Sequence, residues 1–443
     1  MSRPTRNPGN LCGHQRLVAL AFAGLGLVGL FPAMMPRAAR AQSATPPAPA
    51  ATLDSVLVAG EADAQEPRRK FVKWNEYDGP ISTLRFGTNL MFDGATYAQD
   101  DNSKQQVEVT PEVGLRDFRL VFGGRFKTKR PLSWSLGYMY DGADKEWRFR
   151  QTGLMIGVPE LSGQFFIGRS KEGYSIIKTS SGITLWGIER SQTLDAFVPI
   201  LADGIKYMGN YGRTRLFLNL GFYGDALSES EKFSTYDHQV VTRFGWRPIL
   251  SEADHKLLHI AVMGRDCKPD DGFLREKSKP GDYLAPNFLD TGKFEADHSQ
   301  TFGFEAFYRA GPWLFGTEYD WQRDEAASGA NPLFHGGETS IVWNITGETR
   351  PYNVAGAYFE AVSPLKTVFE GGLGGVEAVL NLTYNDFDDG SFQGGKFWRL
   401  TPMVNWHLAD FLNLKFVYGY GVLDRFGVKG ETQFLQTRFQ FSY

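Results

Sequence analysis

Arginines recur in this chain at alternate positions among apolar residues. Arg119 and Arg125 interleave with Phe118, Leu120, Phe122 and Phe126, and Arg148 and Arg150 with Trp147 and Phe149. Arg213 and Arg215 precede Leu216, Leu218 and Leu220 in the opposite phase, and Arg243 and Arg247 alternate with Thr242, Phe244 and Trp246. A guanidinium is a planar fork of five donors that stays charged, so it grips carboxylates and phosphates bidentately. A period of two places such arginines on one face of a strand and the apolar residues on the other. The chemistry on offer is the steering or holding of anions. Fewer acids share the polar face, the clearest being Asp93, Glu305, Glu318 and Asp320.

Catalytic chemistry has no comparable pattern. After residue 41 the histidines are His238, His255, His259, His298, His335 and His407, none in H-E-x-x-H and none near a G-x-S-x-G elbow. His255 and His259 straddle a turn and a strand and do not form a helical metal face. Asp386, Asp388 and Asp389 read as an acidic outer loop. The G-x-G-x-x-G at Gly24, Gly26 and Gly29 opens no βαβ unit. No enzyme, cofactor, catalytic residue or metal site is expected.

Strands must carry these side chains. From Ile81 onward, alternating segments fall at 81–93, 114–127, 132–141, 146–157, 160–169, 204–210, 213–225, 236–247, 257–265, 299–309, 312–322, 337–346, 374–385, 396–407, 412–423 and 433–443. That is sixteen, an even number, as a bacterial outer-membrane barrel requires. The pattern predicts an all-β, transmembrane antiparallel β-barrel with long extracellular loops. A charge facing lipid at mid-membrane costs about 2–4 kcal/mol, so the arginines must line the lumen or its mouths. Short turns at 128–131, 158–159, 211–212, 310–311 and 408–411 then lie inside, and long loops at 94–113, 170–203, 266–298 and 323–336 outside. A tight outer loop at 142–145 and a long inner segment at 347–373 break the alternation.

The loop 170–203 is expected to fold inward and narrow the lumen, because a charged constriction sets selectivity. Its Lys171, Lys178, Glu189 and Arg190, with wall residues Arg119, Arg125, Arg148, Arg150, Arg215 and Arg243, are the candidate pore-lining residues. Its Asp195 and Glu189 oppose those cations. The loop 266–298 mixes both signs and reads either as lumen-reaching or as solvated.

The ends of the chain agree. Arg3, Arg6 and Arg16 precede the apolar run Leu17 to Phe31, and Ala39-Arg40-Ala41 gives a cleavage site, so residues 1–41 read as a secretory signal peptide. That leaves Cys267 as the one cysteine and excludes an internal disulfide. Residues 42–75 begin as a Pro/Ala-rich periplasmic tail, and 76–443 as the barrel. The final strand, Gln433 to Tyr443, alternates and ends on an aromatic, which suits an interface girdle. Aromatics make up 14% of the chain and glycines number 50, as a twisted wall with aromatic belts needs. Losing the five signal arginines takes the formal charge from −3 to −8, which argues against nucleic acid as a partner. The expected partners are outer-membrane lipid, lipopolysaccharide and small solutes.

From Gly337 onward the chain resembles the phosphate-selective porin O and P family. The matching positions are Thr346, Gly347, Glu348, Arg350, Tyr352, Phe359 and Pro364, then Glu377, Tyr384, Asp386, Gly394, Gly395, Asn405, Trp406 and Tyr420. Upstream, Gly163, Gln164, Phe165, Glu189 and Arg190 also match. The family's lysine after Gly-Gln-Phe is Phe166 here. The resemblance implies a sixteen-stranded trimeric outer-membrane porin. As its function it implies a passive, water-filled channel that prefers anions, phosphate among them. A general or cation-preferring channel of the same fold, or a structural barrel, remains the alternative.

One outcome follows from the termini alone. N-terminal mass mapping of protein from outer-membrane fractions should find a first residue near Gln42; a soluble periplasmic species would refute the export reading.

Overall fold

The computed structural model describes residues 75–224 and 236–443. The signal peptide and nearly all of the tail lie outside the described residues. Sixteen antiparallel strands close into one barrel. They are β1 (Thr83–Gln99), β2 (Glu112–Arg125), β3 (Leu132–Asp141), β4 (Glu146–Val158), β5 (Gly163–Ser170), β6 (Ala202–Tyr211), β7 (Leu216–Gly224) and β8 (Tyr236–Ser251). The second half comprises β9 (Lys256–Pro269), β10 (Phe294–Ala310), β11 (Trp313–Ala326), β12 (Leu333–Asn344), β13 (Gly375–Asp389), β14 (Phe392–Ala409), β15 (Leu412–Arg425) and β16 (Val428–Ser442). All sixteen segments expected from sequence are present, and most strands run further than their alternation suggested.

Alternation decides which side each residue takes. Phe222, Phe244, Trp246, Phe302 and Leu435 are exposed on the outer wall, whereas Arg243, Glu305, Asp320 and Arg399 are buried inside. A single phase error would exchange these sets, so the register is strongly specified. The seam shows it: β1 pairs with β16 through Leu90 opposite Phe441 and Asp93 opposite Arg438. Arg438 closes this seam with two bonds to Asp93, at 2.7 and 2.6 Å. Tyr443 adds a mutual backbone pair with Thr88 at 2.6 and 2.7 Å.

Short turns gather at one end and long loops at the other, the periplasmic and extracellular ends of the sequence reading, with the long segment 345–374 the exception at the turn end. The loop end also carries two-residue turns at 390–391 and 426–427, because β13 to β16 extend through their tops. Asp386 to Asp389 thus belong to a strand, not to a loop as the sequence suggested. Aromatic rings mark the turn end of the outer wall. Trp313 stacks on Trp343 with centroids 5.1 Å apart and on Phe315 at 5.9 Å. Such rings suit a membrane–water interface, where an apolar body meets polar headgroups.

Inside, three glutamates sit side by side. Glu305 of β10 is opposite Glu318 of β11, which is opposite Glu338 of β12. Arg243 and His259 satisfy Glu305, with Nε and Nε2 at 2.7 and 2.8 Å from its Oε1. This acidic wall faces the segment that fills the lumen.

Candidate functional site

The segment 171–201 leaves β5 and crosses the lumen instead of standing outside. Its apolar residues explain why: Tyr174, Ile176, Ile177, Leu194 and Phe197 are buried to within 1%, and burying each contributes about 1.5–3 kcal/mol. Two short helices, α1 (Ile176–Thr179) and α2 (Gln192–Phe197), shape it. Ser175 caps α1 by accepting from Lys178 N at 3.1 Å. The acidic wall holds this half: Ile176 N donates to Glu305 at 2.7 Å, and Tyr174 Oη to Asp320 at 2.8 Å.

Folding a loop into a barrel buries backbone carbonyls that no strand can satisfy. Here six consecutive ones, Ile183 to Ile188, each meet a side-chain donor. Gln440 Nε2 reaches Ile183 O at 2.8 Å and Arg350 Nη1 reaches Thr184 O at 2.8 Å. Lys415 Nζ serves both Leu185 O at 2.8 Å and Gly187 O at 2.6 Å. Asn405 Nδ2 takes Trp186 O at 2.8 Å, and Arg438 takes Ile188 O. The loop is therefore pressed against β14, β15 and β16.

Two further segments enter the lumen. From the turn end, residues 348–362 rise after Gly347, whose φ of +98° turns the chain where a side chain would be strained. Arg350, Tyr352 and Phe359 become buried. Arg243 Nη2 donates to Ala357 O at 2.8 Å, Arg247 Nη1 to Val354 O at 2.7 Å and His259 Nδ1 lies 2.8 Å from Tyr352 Oη. Phe359 meets Trp186 of the crossing loop edge-on at 6.2 Å. From the loop end, residues 270–293 dip inward, where Arg399 Nη1 holds Pro280 O at 2.6 Å and Gly281 O at 3.1 Å. This settles the alternative left open for the second charged loop. Between it and the crossing loop lies a cavity of about 470 Å³, lined by Asp195, Pro199, Tyr236, Arg275 and Lys293 among others.

The ten candidates of the sequence reading divide sharply. Lys171 and Lys178 are buried, and their ammonium groups donate to Ser180 O at 2.9 Å and Val198 O at 2.8 Å, both within their own loop. Burial pushes Lys178 down to about 7, with Arg190 adding repulsion. Arg243 is wholly buried behind the inner segment. Arg148 bonds Asp144 beside the tight outer turn, and Arg125 ends β2 exposed at the turn end. Arg215 is a correction: β7 begins at Leu216, so Arg215 is an exposed turn residue with φ +59°, bonded to Pro248 O at 2.7 Å. The sequence read the strand three residues too early because Arg213 and Arg215 continue its parity.

The remaining four converge. Glu189 takes Arg116 Nε and Nη2 at 3.0 and 3.1 Å, and also Arg438. Burial alone would raise this carboxyl, but Arg116 and Arg438 outweigh it and hold it well below the usual carboxylate range. Arg119 pairs with Asp117 through Nε at 3.1 Å and Nη2 at 2.5 Å. Arg190 Nη2 donates to Ser180 O at 3.2 Å. A β-carbon at Gly182 would stand 3.8 Å from Arg119 Nη2 and equally 3.8 Å from Arg190 Nη2. Arg150 is buried on β4 nearby, and its charge bears on Asp117. Sequence reasoning missed Arg116, because a register shift between Met91 and Phe92 breaks the parity of β2. It also missed Arg350 and Lys415 as loop holders.

Toward the turn end of the same strands four small residues follow one arginine in register, and the Phe166 ring lies where a β-carbon at Gly153 would point. One register row runs Arg85, Gly123, Ser135, Gly153 and Gly168 across β1 to β5. The crossing loop is bonded to the opposite wall.

A family model described as phosphate-selective porin O and P matches residues 93–443. Among solved structures, the outer-membrane channel DcaP of Acinetobacter baumannii is similar at a TM-score of 0.54 and 9% identity, over 83% of this chain and 99% of that one. The anion-selective porin from Comamonas acidovorans gives 0.51 and 11%, over 81% and 100%. The trimer form of OmpT from Vibrio cholerae gives 0.50 and 12%, over 82% and 100%. An uncharacterized protein of Caulobacter vibrioides is 30% identical over 136 residues, 31% of this chain and 27% of its own length. The chain thus spans about a quarter of that curated relative.

Replacing Lys415 by methionine keeps its volume but strands the Leu185 and Gly187 carbonyls. The cost should be about 2–6 kcal/mol, at about 1–3 kcal/mol for each of two buried carbonyls left unpaired. Detergent-solubilised protein should unfold at lower denaturant, and single-channel current should become noisier; an unchanged midpoint with quiet current would contradict the holding role.

Proposed function

The chain belongs to the phosphate-selective porin O and P family and is an outer-membrane channel; on that footing we propose that its passage prefers small anions and that three copies assemble. The reading rests on Arg119 and Arg190 meeting across Gly182. The passage is assigned to the side of the crossing loop that faces β1 to β5, because the loop's other flank is bonded along its length to β14, β15 and β16. At the narrowing, Arg116, Arg119, Arg150, Arg190 and Arg438 are interleaved with Asp93, Asp117, Asp141 and Glu189, and Asp195 of the same loop lies within reach of Arg190, so the anion preference rests on the placement of Arg119 and Arg190 and not on a net charge. Such a field acts strongly only within a Debye length of about 8–10 Å, so the preference is weak to moderate. Lys171, Lys178 and Arg243 support the loops and not the field. The similarity to a solved trimer and to an anion-selective porin is consistent with both halves of the proposal.

Reversal potential in a salt gradient tests it. The unmodified channel should give an anion-side value. Removing a unit charge about 6 Å from the ion path changes its energy by about 0.7 kcal/mol in water, about threefold in relative permeability. Arg119→Gln with Arg190→Gln should therefore shift the potential toward cations. A cation-side value before mutation would favour the cation-preferring reading, since Glu189 and Asp117 share the site. Phosphate block of chloride current would mark phosphate as a favoured solute.

A further inference from the structure

The inner segment that fills the lumen has a second half that leaves it. After Val362 is buried, the chain passes Pro364 and presents Leu365, Phe369 and Leu373 at 74%, 67% and 74% exposure. Three large apolar side chains within nine residues are not a soluble surface, where such a patch would invite association. The stretch is nonetheless ordered. Leu365 N donates to Glu348 Oε1 at 3.2 Å, and Thr367 with Glu370 forms a capping box around the turn Val368–Glu370.

Its position identifies what covers it. The Phe369 ring stacks on Phe411 at 5.7 Å and 12°; Phe411 meets Phe441 at 6.1 Å, and Phe441 stacks on Tyr443 at 6.4 Å. Phe441 is two residues beyond the exposed Phe439 on the lipid-facing side of β16. Trp406, on the outward face of β14, donates its indole N–H to Leu373 O at 2.8 Å. The stretch is thus continuous with the outer wall's lipid-facing surface at the turn end. Lys366 is exposed among the three apolar residues, where a long cationic stem can reach an anionic headgroup while its neighbours insert.

We propose that residues 365–373 form an interfacial anchor, seated at the boundary between headgroups and acyl chains of the periplasmic leaflet, and that this anchor holds the lumen half of the same segment in place. Lying in the interface suits a short stretch with an apolar side and a flanking lysine. Lipid on the outside and Trp186 on the inside then grip one continuous piece of chain.

A nitroxide at Phe369→Cys locates the stretch in the folded protein, reconstituted in phosphatidylethanolamine–phosphatidylglycerol vesicles. Cys267 is fully buried, so the unsubstituted protein serves as the labelling blank. Collisions with oxygen, which partitions into lipid, should exceed those with a water-soluble nickel chelate several-fold. A label at lipid-facing Phe244→Cys should behave alike. A label at Gly212→Cys, in a turn with open space around it, should show the reverse. Reverse order at 369 would place the stretch in water and overturn the proposal; low collision with both reagents would mean that a second copy covers it, and would overturn it equally. For the holding role, Leu365→Ser, Phe369→Ser and Leu373→Ser together should leave the barrel heat-modifiable and raise open-channel current fluctuations several-fold. Unaltered fluctuations in the folded triple variant would refute that role.

Discussion

A backbone carbonyl carried into the lumen of a barrel has to find a donor. Strand carbonyls pair with neighbouring strands across the wall, and a loop that crosses the lumen brings its own unpaired ones with it. An unsatisfied buried carbonyl costs about 1–3 kcal/mol, so six in a row would cost as much as the whole stability of a typical domain, about 5–15 kcal/mol. The wall answers with Gln440, Lys415, Asn405 and Arg438, and the inner segment with Arg350. The other inward segments follow the same rule, with Arg243, Arg247 and Arg399 on their carbonyls. Charge-assisted bonds are the stronger kind, which explains why cations outnumber amides among the donors.

This constraint changes the meaning of the basic inner wall. A lumen full of arginine suggests an anion conductor, yet most of those guanidiniums and ammoniums are bound to backbone or to buried carboxylates. Glu189 shows the exchange. It sits in the narrowing loop and is the residue that ties Arg116 and Arg438 together. Breaking a buried pair from one side costs about 3–5 kcal/mol, so loop position and local charge cannot be varied independently. Most of the wall's positive charge is thus engaged within the structure itself.

The barrel was legible in the sequence because period-two alternation is local and repeats sixteen times. The inward loop was legible from its length, its place after the fifth strand and its charged residues, and Arg119 and Arg190 from their type. The identity of the holders was not. Lys415 and Arg350 act on residues more than 150 positions away, and no local pattern encodes such a distance. Arg116 was hidden by one bulge, and Arg215 was misplaced by a parity that ran on into a turn. The positions that carry the family resemblance explain themselves in hindsight. Gly347 turns the inner segment, Arg350 and Asn405 hold the crossing loop, and Glu377 receives Asn405 at 2.7 Å as well as Arg350. They record how the lumen is filled more than what passes through it.

The order of the chain gives that filling a history. The crossing loop is made early, but its carbonyl holders come from the inner segment and from the last three strands. Gln440 and Ile183 are 257 residues apart, and Arg438 and Ile188 are 250. Contacts of such separation form late, after the loops between them have been closed. The seam is made by the same Arg438 that holds the loop. Closure of the wall and the final seating of the crossing loop therefore share one side chain, while Asn405, Lys415 and Arg350 hold the loop from elements away from the seam. A change at Arg438 would loosen the seam and the loop together, so the two cannot be tuned apart.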